Sequence, residues 1–168
     1  MTTLATADLH FSSNPRDSYR FHFLERELPR LIKLHAVARV LVLGDLCEVK
    51  DGHPAALVNR IIDGFAAITE TADVIFLKGN HDYLRADVPF WRFLDHMPRV
   101  RWINEPTPLK LRGLGDCLFL PHTPDWQRDW AGVEVVESIN WIFCHQTFAG
   151  ATSESGQKLE GIPRDVFP

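Results

Sequence analysis

The sequence contains few cysteines, and their placement excludes two classes of small protein. Cys47, Cys117 and Cys144 are odd in number and irregularly spaced. Such a set matches neither a disulfide framework nor a structural zinc site built from paired cysteines. We therefore expect a protein of a reducing compartment, the cytoplasm.

The sequence also lacks long apolar runs and an excess of basic residues. No run approaches the roughly 20 residues that a membrane-spanning helix needs, and MTTLATADLHF does not resemble a secretion signal. We therefore expect no membrane contact. The chain has 18 Lys and Arg against 22 Asp and Glu, a net charge of −4. This balance disfavours a broad basic surface for nucleic acid, although it permits a local basic groove.

The alternation of elements in the first half of the chain predicts an α/β fold. With 168 residues, 45% of them hydrophobic, the chain suits one domain over residues 1–168. Strand candidates at 3–9, 39–43 and 73–77 alternate with helix candidates at 21–34 and 54–68. Pro29 should kink the first helix or mark its boundary. Strand, helix, strand, helix, strand predicts a parallel sheet.

Beyond Pro89 the pattern changes to short strands separated by turns. The candidates are residues 100–103, 109–111, 117–120 and 141–144, with one brief helical segment at 89–95. We expect these strands to form a second, partly antiparallel sheet packed near the first. Residues 150–168 are rich in Ser, Gly and Pro and predict loop.

Metal-capable side chains follow each of the first three strands. They are Asp8, His10, Asp45, Asn80, His81 and Asp82. Turn formation explains each segment singly, but it does not explain their recurrence at three strand exits. Because the carboxyl ends of parallel strands meet at one sheet edge, we expect these side chains to converge there. Carboxylate, imidazole and amide oxygen suit Mn, Fe or Zn.

The spacing of these residues suggests a division of roles. Asp8 and His10 lie two apart on an expected extended segment and can share one metal. Asp45 follows a glycine on a tight turn, where its carboxylate could bridge two cations about 3.5–4 Å apart. Asn80 would offer an amide oxygen to the second cation. His81 would be free to protonate a leaving oxygen, with Asp82 fixing its tautomer.

With these motifs the sequence resembles the calcineurin-like metallophosphoesterases. The resemblance rests on Asp8-Leu9-His10, Gly44-Asp45, Gly79-Asn80-His81-Asp82 and His145 in WIFCHQTF. It implies a four-layer α/β/β/α sandwich of two mixed sheets flanked by helices. It also implies hydrolysis of phosphomonoesters or phosphodiesters with two divalent metals and a bridging hydroxide as the nucleophile.

The resemblance also implies a ligand set. Asp8, His10 and Asp45 would hold the first metal, and Asp45, Asn80 and His145 the second. His81 would be the proton donor, with Asp82 behind it. Manganese is the expected metal, with Fe, Zn, Mg and Ni as alternatives.

The sequence departs from the family pattern after His145. Family members have a Gly-His-any-His segment that gives one histidine to each metal, and none follows here. The sequence stops at GIPRDVFP, about where the approach to that segment is expected. We therefore expect a C-terminally shortened form in which each metal lacks one protein ligand. Such a chain would be weakly active or inactive.

Four further residues have weaker motif support. Arg16 and Arg20 could clamp a substrate phosphate, although arginines beside a helix start are usually just exposed. His122, between two prolines, could face the site or be a plain loop histidine. Glu48 is expected to lie behind the ligands or beside a helix, because the family pattern places no ligand there.

The residues after Asp45 bear on the substrate. The run LCEVKDGHP differs from the Asp-Arg-Gly of the serine/threonine phosphatase branch. It is closer to the nuclease and phosphodiesterase branch, including phage-type and break-repair nuclease subunits. We therefore expect phosphodiester hydrolysis, with nucleic acid as a candidate substrate. A partner subunit could help to bind the nucleic acid. The alternatives are a small-molecule phosphomonoesterase or nucleotide phosphodiesterase, and a non-catalytic interaction module that kept the fold.

Overall fold

Four parallel strands form the first sheet of the computed structural model, which describes residues 1–85, 88–133, 138–153, 155–163 and 166. The strands are β1 (Thr2–Thr6), β2 (Val37–Leu43), β3 (Asp73–Leu77) and β4 (Val100–Ile103), in that spatial order. β2 and β3 are nearly continuous apolar runs because both faces of this sheet are covered. Thr6 pairs with Val42, and Val42 pairs with Phe76. The first three strands therefore end at one level of the sheet.

Two strand predictions need correction. β1 ends at Thr6 rather than Leu9, because Asp8 adopts a left-handed backbone with a φ of 54° that no strand accommodates. β4 was expected in the second sheet, but it pairs in parallel with β3. The chain crosses from the end of β3 through a 3₁₀ helix, Phe90–His96, before it enters β4. The apolar pattern of β4 indicates a buried strand but does not indicate its neighbour.

The helices pack on one face of this sheet. The helix predicted for residues 21–34 consists of α1 (Ser18–His22), a π-helical turn (Phe23–Glu27) and α2 (Leu28–Leu34). Pro29 lies in the first turn of α2, directly after the wider π turn. Proline has no backbone N–H to donate to the preceding turn. α3 (Ala55–Thr69) follows Pro54 and buries a stripe of apolar residues at helical spacing. The stripe is Leu57, Ile61, Phe65 and Ile68.

The second sheet contains both strand orientations, as the sequence predicts. β5 (Thr107–Leu111) and β6 (Gly115–Leu120) are antiparallel, and β7 (Ile139–Cys144) pairs in parallel with β6. A short helix, α4 (Trp126–Asp129), lies between β6 and β7 in the chain. The fold is thus mixed α/β with two sheets and helices. Among the described residues the first sheet is parallel throughout, so the expectation of two mixed sheets holds for the second sheet alone.

The two sheets pack face to face through a shared apolar layer. Leu41, Ile75 and Ile103 of the first sheet contact a cluster that contains Cys117 and Phe119 of the second. This arrangement places the exits of β1, β2 and β3 next to the exit of β7, where His145 follows. None of the helices described is both long enough and apolar enough to cross a bilayer.

Candidate metal centre

Asp45 lies at the centre of the side chains that meet at the strand exits, on a sharp turn at the end of β2. Gly44 and Asp45 both adopt left-handed backbone conformations, with φ angles of 95° and 56°. A side chain on Gly44 would collide with the His145 ring, so only glycine fits this approach. The turn leaves the Asp45 residue only 3% exposed, with its carboxylate facing side chains from the other strand exits.

The exit of β1 is shaped by backbone bonds to the exit of β2. The Asp8 N–H donates to the Gly44 carbonyl at 3.1 Å, and the His10 N–H donates to the Asp45 carbonyl at 3.0 Å. The expected extended segment is wrong, since Asp8 and His10 have φ angles of 54° and 45°. The two side chains still converge, because His10 Nε2 lies 3.8 Å from Asp8 Oδ1 and 3.6 Å from Asp45 Oδ2.

His145 approaches the same carboxylate from the exit of β7, and Asn80 contacts the His145 ring from the exit of β3. His145 Nε2 lies 3.4 Å from Asp45 Oδ2 and 3.0 Å from Asn80 Oδ1. Its Nδ1 lies 2.7 Å from the Leu43 carbonyl, to which it can only donate. This bond fixes the ring so that Nε2 faces the other donor atoms. One Asp45 oxygen therefore lies between two histidines.

The charges of this group fit a cation. Burial opposes ionisation of Asp45, but hydrogen bonds from His145 and the His81 N–H outweigh it and lower the pKa of Asp45. Burial also opposes protonation of His145, yet Asp45 and the Leu43 carbonyl raise the pKa of His145 to about 9. In the metal-free protein, His145 thus carries positive charge between carboxylates. Oxygen and nitrogen donors around that position suit a divalent ion.

His81 and Glu48 occupy the side of the site next to His10. His81 Nδ1 lies 2.6 Å from the Glu48 carbonyl, and its backbone N–H donates to Asp45 Oδ1 at 2.8 Å. The Glu48 carboxylate lies 3.0 Å from His10 Nδ1. Glu48 thus touches both rings, with its backbone oxygen on one and its side chain on the other. It lies behind the expected ligand His10. In the sequence, an acidic residue three positions after Asp45 was the signal that could have indicated this contact.

Asp82 does not orient the His81 ring, and this expectation is corrected. Its carboxylate accepts three backbone N–H bonds, from Gly79 at 2.6 Å, Leu46 at 2.8 Å and Asp45 at 3.0 Å. Its residue is 1% exposed, and burial raises the pKa of Asp82 in spite of these donors. Asp82 joins the exits of β2 and β3, whereas the Glu48 carbonyl holds the imidazole of His81.

The two arginines lie apart from the group. The Arg20 guanidinium donates to the Leu9 carbonyl at 3.0 Å and so braces the loop after β1. Arg16 is exposed in the 3₁₀ turn Pro15–Asp17. Neither residue lines the cavity beside Asp45. The structure therefore does not bring them to the site as phosphate clamps.

His122 does reach the site. It lines a cavity of about 460 Å³ together with Asp8, Asp45, Asn80 and His145. Its Nδ1 lies 2.8 Å from the Tyr83 hydroxyl. Burial, reinforced by the charge of His145, lowers the pKa of His122 to about 4. Tyr83 was missed from the sequence, although it directly follows Asp82.

The motif order and this geometry agree with a comparison against family models. The model described as calcineurin-like phosphoesterase matches residues 1–156. The chain belongs to the calcineurin-like phosphoesterase family. Members of this family use divalent metals to hydrolyse phosphoesters.

Two further comparisons found similar proteins. It is 34% identical over 88 residues to UDP-2,3-diacylglucosamine hydrolase of Shewanella pealeana, a match covering 50% of this chain and 34% of that protein. The solved structure of Pseudomonas putida nuclease MPE superposes with a TM-score of 0.50 at 18% identity, covering 94% of this chain and 66% of the nuclease. The second likeness shows the fold alone. The match to the hydrolase spans about a third of that relative's length.

Proposed function

We propose that this chain is a phosphodiesterase that acts with two divalent ions. One observation carries the proposal: Asp45 Oδ2 lies 3.6 Å from His10 Nε2 and 3.4 Å from His145 Nε2, which places one carboxylate oxygen between two metal-capable histidines. Family membership supports the use of divalent metals. The four-layer form of the sandwich is part of the same proposal.

We assign the proposed ligands to two sets that share Asp45. Asp8, His10 and Asp45 would hold one ion, and Asp45, Asn80 and His145 the other. Manganese is our first choice, with Fe, Zn, Mg and Ni as alternatives, because oxygen and nitrogen donors accept all of them. When bound, such ions polarise a phosphoryl oxygen and lower the pKa of water.

The side chains around the ions orient the substrate and move protons. The Glu48 carbonyl accepts from His81 Nδ1–H, so Nε2 faces away from this bond. With a proton on both ring nitrogens, His81 would give its Nε2 proton to the departing oxygen. Asn80 keeps its amide oxygen toward His145. His122 lines the cavity as a neutral ring at neutral pH. It can accept or donate one hydrogen bond to the substrate.

Nucleic acid is the substrate we favour among phosphodiesters. The likeness in fold to a nuclease supports this choice, as does the absence of the Asp-Arg-Gly motif after Gly44. With a net charge of −4, the chain offers little general attraction for a polyanion. We therefore propose that a partner subunit supplies further phosphate contacts.

A nucleotide phosphodiesterase is the second candidate. The observation that favours it is the 34% identity, over 88 residues, to a hydrolase whose name gives a UDP-linked substrate. A cytoplasmic location remains a prediction.

Assays on purified chain test the proposal. With added manganese, bis-p-nitrophenyl phosphate should be cleaved faster than p-nitrophenyl phosphate. Asp45→Ala should abolish both manganese binding and cleavage, whereas Asp63→Ala on the exposed side of α3 should change neither. If Asp45→Ala still bound two ions, the bridging role would be wrong. If the wild type bound manganese but cleaved neither ester, the interaction module would replace the enzyme.

A further inference from the structure

A second cavity adjoins the metal site. It has a volume of about 340 Å³ and is lined by residues that follow β3, β4 and β6, including Lys78, Asn104, Pro121 and Trp130. His122 lines both this cavity and the one beside Asp45. His122 is therefore the residue at which the two cavities meet.

Lys78 is the unusual residue of this cavity. It is 4% exposed, and its backbone is held on both sides, by the Ile103 carbonyl and by the His122 N–H at 2.8 Å. Its ammonium lies 4.6 Å from the centre of the Tyr83 ring. Among the described residues no carboxylate comes within ion-pairing distance of Lys78.

The other charges at this cavity have partners or are solvated. Arg128 Nε donates to Asp129 Oδ1 at 2.6 Å, and Thr123 also donates to Asp129. Glu105 is exposed to solvent. An ammonium without a close counter-charge on a largely buried lysine is costly, and an oxyanion in the cavity would supply that charge.

We propose that this second cavity is a subsite for a second phosphate of the substrate, bound by the Lys78 ammonium. The proposal rests on the proposed function, since it places the scissile phosphate at Asp45 and its neighbour beyond His122. That neighbour is either the next phosphate of a nucleic acid backbone or the second phosphate of a nucleoside diphosphate. Both present the same oxyanion to Lys78.

A pair of matched substrates tests the subsite. Thymidine 5′-(p-nitrophenyl phosphate) and its 3′-phosphorylated form differ by one phosphate. Wild type should prefer the 3′-phosphorylated form by about 10- to 100-fold in kcat/KM, the effect of one hydrogen bond to a charged group. Lys78→Met should abolish most of this preference, because Met keeps the length but not the charge. Lys110→Met removes a charge from exposed β5 and should retain the preference.

Equilibrium binding separates the two phosphate sources and does not require turnover. Thymidine 3′,5′-bisphosphate is compared with thymidine 5′-monophosphate, and UDP with UMP, on wild type and Lys78→Met. A gain for the bisphosphate that the variant loses supports the backbone phosphate, and a gain for UDP that it loses supports the diphosphate. If neither second phosphate improves binding, or if Lys78→Met keeps the gain, the subsite is wrong.

Two controls distinguish failure of the subsite from failure of the proposed function and from misfolding of the variant. If wild type hydrolyses neither thymidine ester, the proposed function fails, and the binding comparison alone decides the subsite. Thermal unfolding shows whether Lys78→Met is folded, and Lys78→Gln repeats the test with a polar replacement. Loss of the preference in each of the two variants that is folded supports the proposal, and retention in a folded Lys78→Met or Lys78→Gln overturns it.

Discussion

At the scale of single residues, Asp45 uses nearly every polar atom it has. Its N–H donates to Asp82, its carbonyl accepts from the His10 N–H, and Oδ1 accepts from the His81 N–H. Oδ2 remains toward the histidines. Asp8, His10 and Asp45 all adopt positive φ, a conformation that costs free energy outside glycine and clusters at functional sites. The strain is thus located where the proposed metal ligands converge.

Replacing His81 separates proton transfer from metal binding. His81→Ala should slow turnover about 100- to 10,000-fold, the usual loss for a general acid, while manganese affinity stays within a few-fold. Initial rates and manganese titration measure the two effects. His96→Ala, which alters an exposed histidine, is the control and should leave both unchanged. Unchanged turnover in His81→Ala would remove this ring from the mechanism.

Replacing Glu48 tests the orientation of His10. Glu48→Ala removes the carboxylate 3.0 Å from His10 Nδ1 but keeps the carbonyl that holds His81. Manganese affinity should fall about 10- to 100-fold, as for other residues that support a ligand. At saturating manganese, kcat should recover most of its wild-type value. Glu48→Gln should restore part of the affinity, and Glu70→Ala on the surface should have no effect. Wild-type affinity in Glu48→Ala would contradict this role.

At the scale of elements, the strand exits are fastened together by Asp82. Asp82→Ala would leave three buried N–H groups without their acceptor. We expect the free energy of unfolding to fall by on the order of 3–5 kcal/mol, in line with removal of one partner of a buried charged network. Urea unfolding measures the change. The control Asp116→Ala removes a surface ion pair with Lys110 and should lower the free energy of unfolding by under about 1 kcal/mol. Equal losses in the two variants would show that Asp82 does not hold the strand exits together.

The limits of a strand could be predicted where the local sequence pattern alone determines them. β3 was predicted at its observed limits because a buried apolar run is bounded by polar residues. The partner of β4 was not predictable, since its place depends on the crossover through residues 78–99. The convergence of Asp8, Asp45 and His145 could be predicted from strand order and family resemblance. The partners of Asp82 and Lys78 could not, because they depend on contacts between loops that are distant in sequence.

At the scale of the whole molecule, the shared exit level of β1, β2 and β3 places the proposed metal ligands on one rim. β7 of the second sheet brings His145 to that rim from the other side of the sandwich. The family model spans residues 1–156, so it includes both sheets. The site therefore depends on the packing of the two sheets against each other, through the layer that contains Ile75 and Phe119.

Acid should weaken the metal-free protein through His122. Its pKa of about 4 in the folded protein lies below the value of about 6.5 for an unfolded chain. His122 therefore contributes stability above about pH 6.5, and this contribution is lost as the pH falls toward 4. Urea unfolding of wild type and His122→Asn in chelator measures it. Wild type should lose more stability than the variant over this range, and parallel curves would show that His122 is not buried as a neutral ring.

The most direct measurement of the central claim is anomalous scattering from a crystal of this chain grown with manganese. Two manganese peaks are expected on either side of the Asp45 carboxylate, one beside His10 and one beside His145. A single peak, or manganese bound away from Asp45, would contradict the two-ion site.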